Sequence, residues 1–309
     1  MIKKLFLGLK LEFFYIRRMI NRGFPPQYWV NYVKNRYFGS FLLKHMPRLE
    51  FEQTDDFELH VLINKSGLWM LTWALRSFLY HSGLTPKIVI HSDGTIDPAT
   101  ARMFESKFAN LRVILKDDAD RIINDRTDIP EKIKQYRMTK PFPIMELTDI
   151  FLLSNSEKVM LLDGDILFFD TPQEIVDFVQ NRSPYDVLST HFAKGSPLFL
   201  DEEYVRQYKL IEKGAANVIS GIIIYNRQKL PLHKFLEYFD HTLDTYSYFI
   251  EQAGWGSMIC QTNFVWLSEE RYPVKGFPRE KTVAKHFTTP RRHELYAYGI
   301  DQVRRKIKS

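Results

Sequence analysis

From Phe57 onward the chain alternates short apolar runs with helix-like stretches, and this alternation limits the available folds more than any other feature. Residues 57–64 predict a strand, 68–81 a helix and 87–91 a second strand; 99–108 then predicts a helix and 111–115 a strand. Further along, 142–153, 230–238 and 249–260 have helical patterns, 175–180 a short surface helix, and 186–189 and 218–225 strand patterns. Such an order implies an α/β fold whose mostly parallel central sheet is covered on both faces, with ligands beyond the carboxyl ends of its strands. At 309 residues and 45% hydrophobic content, the chain can bury a core of that size. No repeat or evident linker divides it, and we take 51–309 as one α/β domain preceded by a helical extension over 1–50.

That extension is basic and amphipathic. In "MIKKLFLGLKLEFFYIRRMINRG", Ile2, Leu5, Leu9, Phe13, Ile16 and Ile20 fall on one helical face, with Lys3, Lys10 and Arg17 on its flank. The pattern suits a helix lying on an anionic membrane surface; a helix packed on the body or on a partner is the alternative. Lys10 and Glu12 interrupt the apolar run, so neither a secretion signal nor a bilayer span is expected. Residues 1–22 carry a net charge of +5 and 291–309 a net +4, which leaves 23–290 at −3. A central groove gripping nucleic acid would have the reverse distribution. The single cysteine, Cys260, rules out an intrachain disulfide, and a reducing, cytoplasmic setting is expected, with attachment at the inner face of a membrane as an extension of that view. Nothing in the pattern specifies an oligomeric state.

The stretch "KVMLLDGDILFFD" carries the chemistry. Met160-Leu161-Leu162 reads as a buried strand, and Asp163 follows where such a strand emerges at the ligand edge. Asp163 and Asp165, two apart, point the same way, and Gly164 between them permits a bend or close approach. Paired carboxylates so placed suit a hard divalent cation that takes further ligands from a diphosphate, whereas a capped turn would be the structural use of the same residues. Upstream, Asn64 and Ser66 in "NKSG" form either a polar strand-to-helix turn or contacts to a phosphate or base edge. Downstream, Ser220-Gly221 interrupts an apolar strand where a ligand or neighbouring backbone approaches closely, and 195–214 has no clean periodicity, as in a flap or a polar insertion.

In order along the chain, "QYRMTKPFPIMELTDIFLLSNSEKVMLLD", "VMLLDGDILFF", "NVISGIIIYN", "EQAGWGSMI" and "KHFTTPRRHELYAYG" resemble the segments of nucleotide-sugar-dependent glycosyltransferases of the GT-A fold, especially those related to glycosyltransferase family 8. The resemblance spans roughly 57–290. It implies a GT-A-like, Rossmann-like sheet and a metal-binding motif at Asp163, Gly164 and Asp165. It further implies His286 as a metal ligand, Arg137 or Lys140 at the donor phosphates, and Gln252 beside the transferring sugar. Asn64, Ser66 and Gly221 join the donor-binding set. Ile219 stands where the family has asparagine, Glu251 replaces its aspartate, and no glycine-lysine-proline follows His286.

The activity so implied is transfer of a sugar, with retention of configuration, from a nucleotide-diphosphate-sugar to a hydroxyl on a glycan, lipid or small molecule. Manganese or magnesium would serve as cofactor. A nucleotide-sugar hydrolase, a nucleotidyltransferase and a non-enzymatic membrane-surface binding protein are the competing expectations.

Overall fold

The computed structural model describes residues 2–53, 56–139, 142–192, 194–242 and 249–308, with side chains from Gly8 to Ile307 within those spans. Three helices lead the chain: α1 (Ile2–Asn21), α2 (Pro26–Tyr37) and α3 (Gly39–Lys44). The strands are β1 (Phe57–Ile63), β2 (Lys87–Ser92), β3 (Leu111–Ile114), β4 (Lys158–Leu162), β5 (Ile166–Phe168), β6 (Val187–His191), β7 (Val218–Asn226), β8 (Phe264–Leu267) and β9 (Ala284–His286). Between them run α4 (Leu68–Ser82), α5 (Pro98–Glu105), α6 (Lys116–Asn124), α7 (Glu131–Thr139), α8 (Phe142–Leu153), α9 (Gln173–Val179), α10 (Glu202–Gln207), α11 (Leu232–His241) and α12 (Ile250–Ile259). The chain ends with the short turn α13 (Arg292–Glu294), a π-helical turn over Leu295–Gly299, and α14 (Ile300–Lys308).

Seven strands form the central sheet in the order β3-β2-β1-β4-β7-β6-β8. All run parallel except β7, which pairs antiparallel with both β4 and β6. The expected mostly parallel sheet with helices on both faces is therefore present. Alternation along the central strands shows why no face is left wet. Met160 and Leu162 of β4, with Ile222 and Ile224 of β7, enter the cluster that includes side chains of α4, α9 and α14. Val159, Leu161, Ile223 and Tyr225 enter the cluster built with α8, α11 and α12. Strands buried on both sides read as continuous apolar runs, as this sequence does.

The second sheet, β5 with β9, is short and decisive for the site. Its antiparallel register sets Ile166 opposite His286 and Phe168 opposite Ala284. Neither β9 nor the C-terminal helices was evident in the sequence pattern, and the aperiodic stretch 195–214 contains α10, capped by Asp201 through the Tyr204 amide. Trp255 and Cys260 are fully buried packing residues; burial pushes the Cys260 thiol up to about 12. His60, which interrupts the apolar run of β1, lies in a buried chain with His91 (2.9 Å) and Glu58 (3.2 Å).

Candidate active site

Backbone register brings three donor atoms together at the carboxyl end of β4. The Asp163 amide donates to the Gly221 carbonyl (2.8 Å), which extends the β4–β7 ladder by one residue and lays Asp163 beside the break in β7. Past the turn, the Phe287 amide donates to the Asp165 carbonyl (2.9 Å), extending the β5–β9 pairing and bringing His286 alongside. His286 Nε2 consequently stands 3.1 Å from both Asp163 Oδ2 and Asp165 Oδ1. Arg292 Nε holds the other Asp165 oxygen at 2.8 Å, so Oδ1 is the one turned to the histidine.

Two glycines make this geometry possible. A Cβ on Gly221 would lie 2.7 Å from His286 Nδ1, so the imidazole occupies the space that a side chain there would need. The close approach expected at Gly221 is thus made by a side chain of the protein itself. At Gly164 a Cβ would meet Ile63 Cδ1 at 2.8 Å, which explains a glycine between the two aspartates without invoking a ligand.

Acidic groups dominate the electrostatics. Burial alone would raise the Asp165 carboxyl, but the Arg292 and His286 charges beside it hold it well below the usual range. Burial opposes a charge on His286, yet Asp165 and Asp163 outweigh it and push the imidazole up to about 10. Two further acids converge here. Glu146 of α8 is raised well above its ordinary value by burial and by the Asp163 and Glu251 charges, and Glu251 of α12 is pushed up to about 8, by burial first and Asp163 next. Ser220 Oγ donates to Glu251 Oε2 (2.9 Å). Four carboxyls against His286 and Arg292 form a site that gathers protons and has the charge to exchange them for a cation. Two carboxylate oxygens and one imidazole nitrogen, all within 4.8 Å of one another, match the donor set of a hard divalent ion.

These groups line a cavity of about 1120 Å³. Asn64 and Ser66 lie on its wall, where Asn64 Oδ1 accepts from the Gly67 amide (2.9 Å) and Ser66 Oγ (2.7 Å); the polar turn and a cavity-facing position prove compatible. Gln252, Gly164 and Asp163 also line it, whereas Gly221 lies beneath His286. The rim at 194–197 is tied down by the Ser196 amide on the Ala216 carbonyl (2.6 Å). Leu11 and Tyr15 of α1 and Arg36 of α2 complete the wall. Tyr15 Oη donates to the Thr289 carbonyl (2.6 Å) and Arg18 to that of Pro290 (3.1 Å), so α1 braces the segment between His286 and Arg292.

Arg137 does not join the site. It is buried between α7 and α8, with Nε and Nη2 on the Asp149 carboxylate (2.5 and 2.8 Å) and Nη1 on Asp120, and its donors serve the core instead of a phosphate. Lys140 lies outside the described residues. Glu146, Arg36 and Tyr15 also line the cavity, and sequence reasoning missed them. For Glu146 a signal existed: "FPIMELTDIFLL" is apolar all round and must be buried, so any acid within it needs a reason.

No family model matches the chain, and no curated protein matches it. Among solved structures it is similar to the bifunctional glycosyltransferase WbbM at 12% identity and a TM-score of 0.49, over 85% of this chain and 53% of that one. The chain thus spans about half of WbbM. It is also similar to mouse xyloside xylosyltransferase 1 (10% identity, TM-score 0.46, 75% of this chain and 97% of that one). A third is the galactosyltransferase LgtC, solved with donor and acceptor sugar analogues (14% identity, TM-score 0.44, 81% and 95%).

Proposed function

We propose that the protein is a metal-dependent, retaining glycosyltransferase acting on a nucleotide-diphosphate-sugar and a hydroxyl acceptor. The observation that carries this reading is the convergence of Asp163 Oδ2, Asp165 Oδ1 and His286 Nε2 on one cavity at the edge of the sheet. These three residues would hold manganese or magnesium, the imidazole favouring manganese modestly. When bound, such an ion supplies positive charge to the diphosphate and to the departing nucleotide.

The remaining roles belong to the chain. Arg292 orients the Asp165 carboxylate through Oδ2. Lys194, on the cavity rim, replaces Arg137 as the cation that meets diphosphate. Asn64 and Ser66 stand where the base or ribose would lie, next to the end of β1. Gln252 and Glu251 line the cavity from α12, where a sugar would be held. In the reaction the acceptor oxygen bonds to the anomeric carbon on the face from which the phosphate oxygen leaves, and the hydroxyl proton passes to that departing oxygen. Catalysis is then positional and electrostatic, with no covalent intermediate on Gln252, whose amide is a poor nucleophile.

A panel of nucleotide-sugars with manganese, magnesium or chelator, offered with hydroxyl acceptors, tests the assignment. Glycosylated product with retained configuration, abolished by chelator and by Asp163→Asn, is the expected result. Cleavage of the donor with no need for an acceptor would favour a hydrolase instead.

A further inference from the structure

The outward face of the N-terminal helices is apolar and cationic at once. Tyr15 and Met19 of α1 are buried against the body. Leu9, Phe13, Ile16 and Ile20 fall within roughly 60° of one another on a different face of the same helix. That face is open: Phe13 is 69% and Ile20 63% exposed. Glu12, at the border between the two faces, accepts from Tyr37 Oη (3.0 Å) and Arg36 Nε (2.7 Å), which lays α2 alongside. Val33 and Tyr37 of α2 and Phe38 and Phe41 next to it are exposed as well.

Charge identifies what covers it. Residues 2–44 hold nine lysines and arginines against one acid, Glu12, a net of +8, while the rest of the chain has a net charge of −2. The single acid is bound by Arg36 and Arg22 pairs with Glu294 of the body, which still leaves these helices with a large positive excess. Large apolar side chains on a convex helical surface, bordered by Lys10 and Arg17, match an anionic bilayer, which accepts inserted side chains and cations together without a shaped groove. No described helix is long and apolar enough to cross a membrane, so the contact is in plane.

We propose that α1, α2 and α3 bed this face in an anionic lipid surface, with Leu9, Phe13, Ile16 and Ile20 entering the headgroup boundary. The same helices supply Leu11, Tyr15 and Arg36 to the cavity wall, so docking holds the cavity rim beside the headgroups. If the glycosyl-transfer reading holds, on which this last step rests, the acceptor hydroxyl is carried on a membrane lipid.

The test is co-sedimentation of the full chain with phosphatidylcholine vesicles and with vesicles also containing phosphatidylglycerol. Binding to the anionic vesicles should be stronger by about tenfold or more and weaken with salt, since each basic side chain near such a surface contributes about fivefold. The double variant Phe13→Ser, Ile20→Ser should lose most of this binding with thermal stability and metal-dependent nucleotide binding unchanged; neither residue touches the cavity. Equal binding by the double variant and the parent, or no preference for anionic vesicles, would overturn the proposal. So would a self-associated parent that the double variant renders monomeric without any vesicle binding. Vesicle binding and nucleotide binding are measured separately, so failure of the lipid proposal and failure of the glycosyl-transfer reading are distinguishable.

Discussion

Gly221 controls the site through the atom that it lacks. Replacing it with alanine would force a methyl group against His286 Nδ1, and the imidazole must move away from the two aspartates. We expect Gly221→Ala to weaken manganese binding at least tenfold with the fold retained, as read by a manganese titration followed by electron paramagnetic resonance. Arg137 makes the opposite prediction. Its removal strands the buried Asp149 carboxylate, so Arg137→Ala should cost about 3 kcal/mol or more of stability, while a stabilised background carrying the same change should bind nucleotide normally. Acid sensitivity belongs to Glu58. Burial raises its carboxyl, but His60 and the Asn155 and Ser156 amides outweigh it and hold it at about 2, against an ordinary 4.5. The unfolded chain therefore binds more protons, and this stabilisation, about 3 kcal/mol, is fully present above pH 4.5 and lost as pH falls toward 2. His60 and His91, both lowered by burial, act with the same sign below their ordinary 6.5. Denaturant titrations across pH should show Glu58→Gln with a flatter acid limb than the parent.

At the scale of elements, legibility followed burial pattern. β4 and β7 announce themselves because both of their faces are covered, and Asp163 is conspicuous because it ends such a run. β9 is three residues long and lies in a stretch without periodicity, so nothing in its own pattern marks His286; only resemblance pointed there. Arg137 misled because its partners, Asp120 and Asp149, sit 17 and 12 residues away in sequence and meet it only through the packing of α6, α7 and α8. Yet α8 carried the warning, since Glu146 and Asp149 both lie in a helix too apolar to be exposed. The bracing of the Thr288–Arg292 segment by α1 is also invisible in sequence, because it depends on contacts some 270 residues apart. Tyr15→Phe removes the bond to Thr289 and should cost about 1 kcal/mol. Hydrogen exchange should show faster opening of the segment after His286, with the central strands unaffected.

For the molecule as a whole, the helices of 1–50 are a wall of the site as well as a candidate membrane foot. Ties cross from them to the body at Arg22–Glu294, Asn35–Tyr296 and the bridge between Leu49 and Phe108. Charge is divided along the same line, positive on the N-terminal helices and slightly negative on the body, whose cavity gathers four carboxyls. Such a body repels a nucleotide diphosphate unless a cation comes with it. Calorimetric titration of the parent, Asp163→Asn and Asp165→Asn with a nucleotide diphosphate, in manganese and in chelator, tests that dependence most directly. The expected result is binding by the parent in manganese, at least a hundredfold weaker binding in chelator, and comparable losses in both variants. Tight binding that is indifferent to the metal and to both substitutions would contradict it.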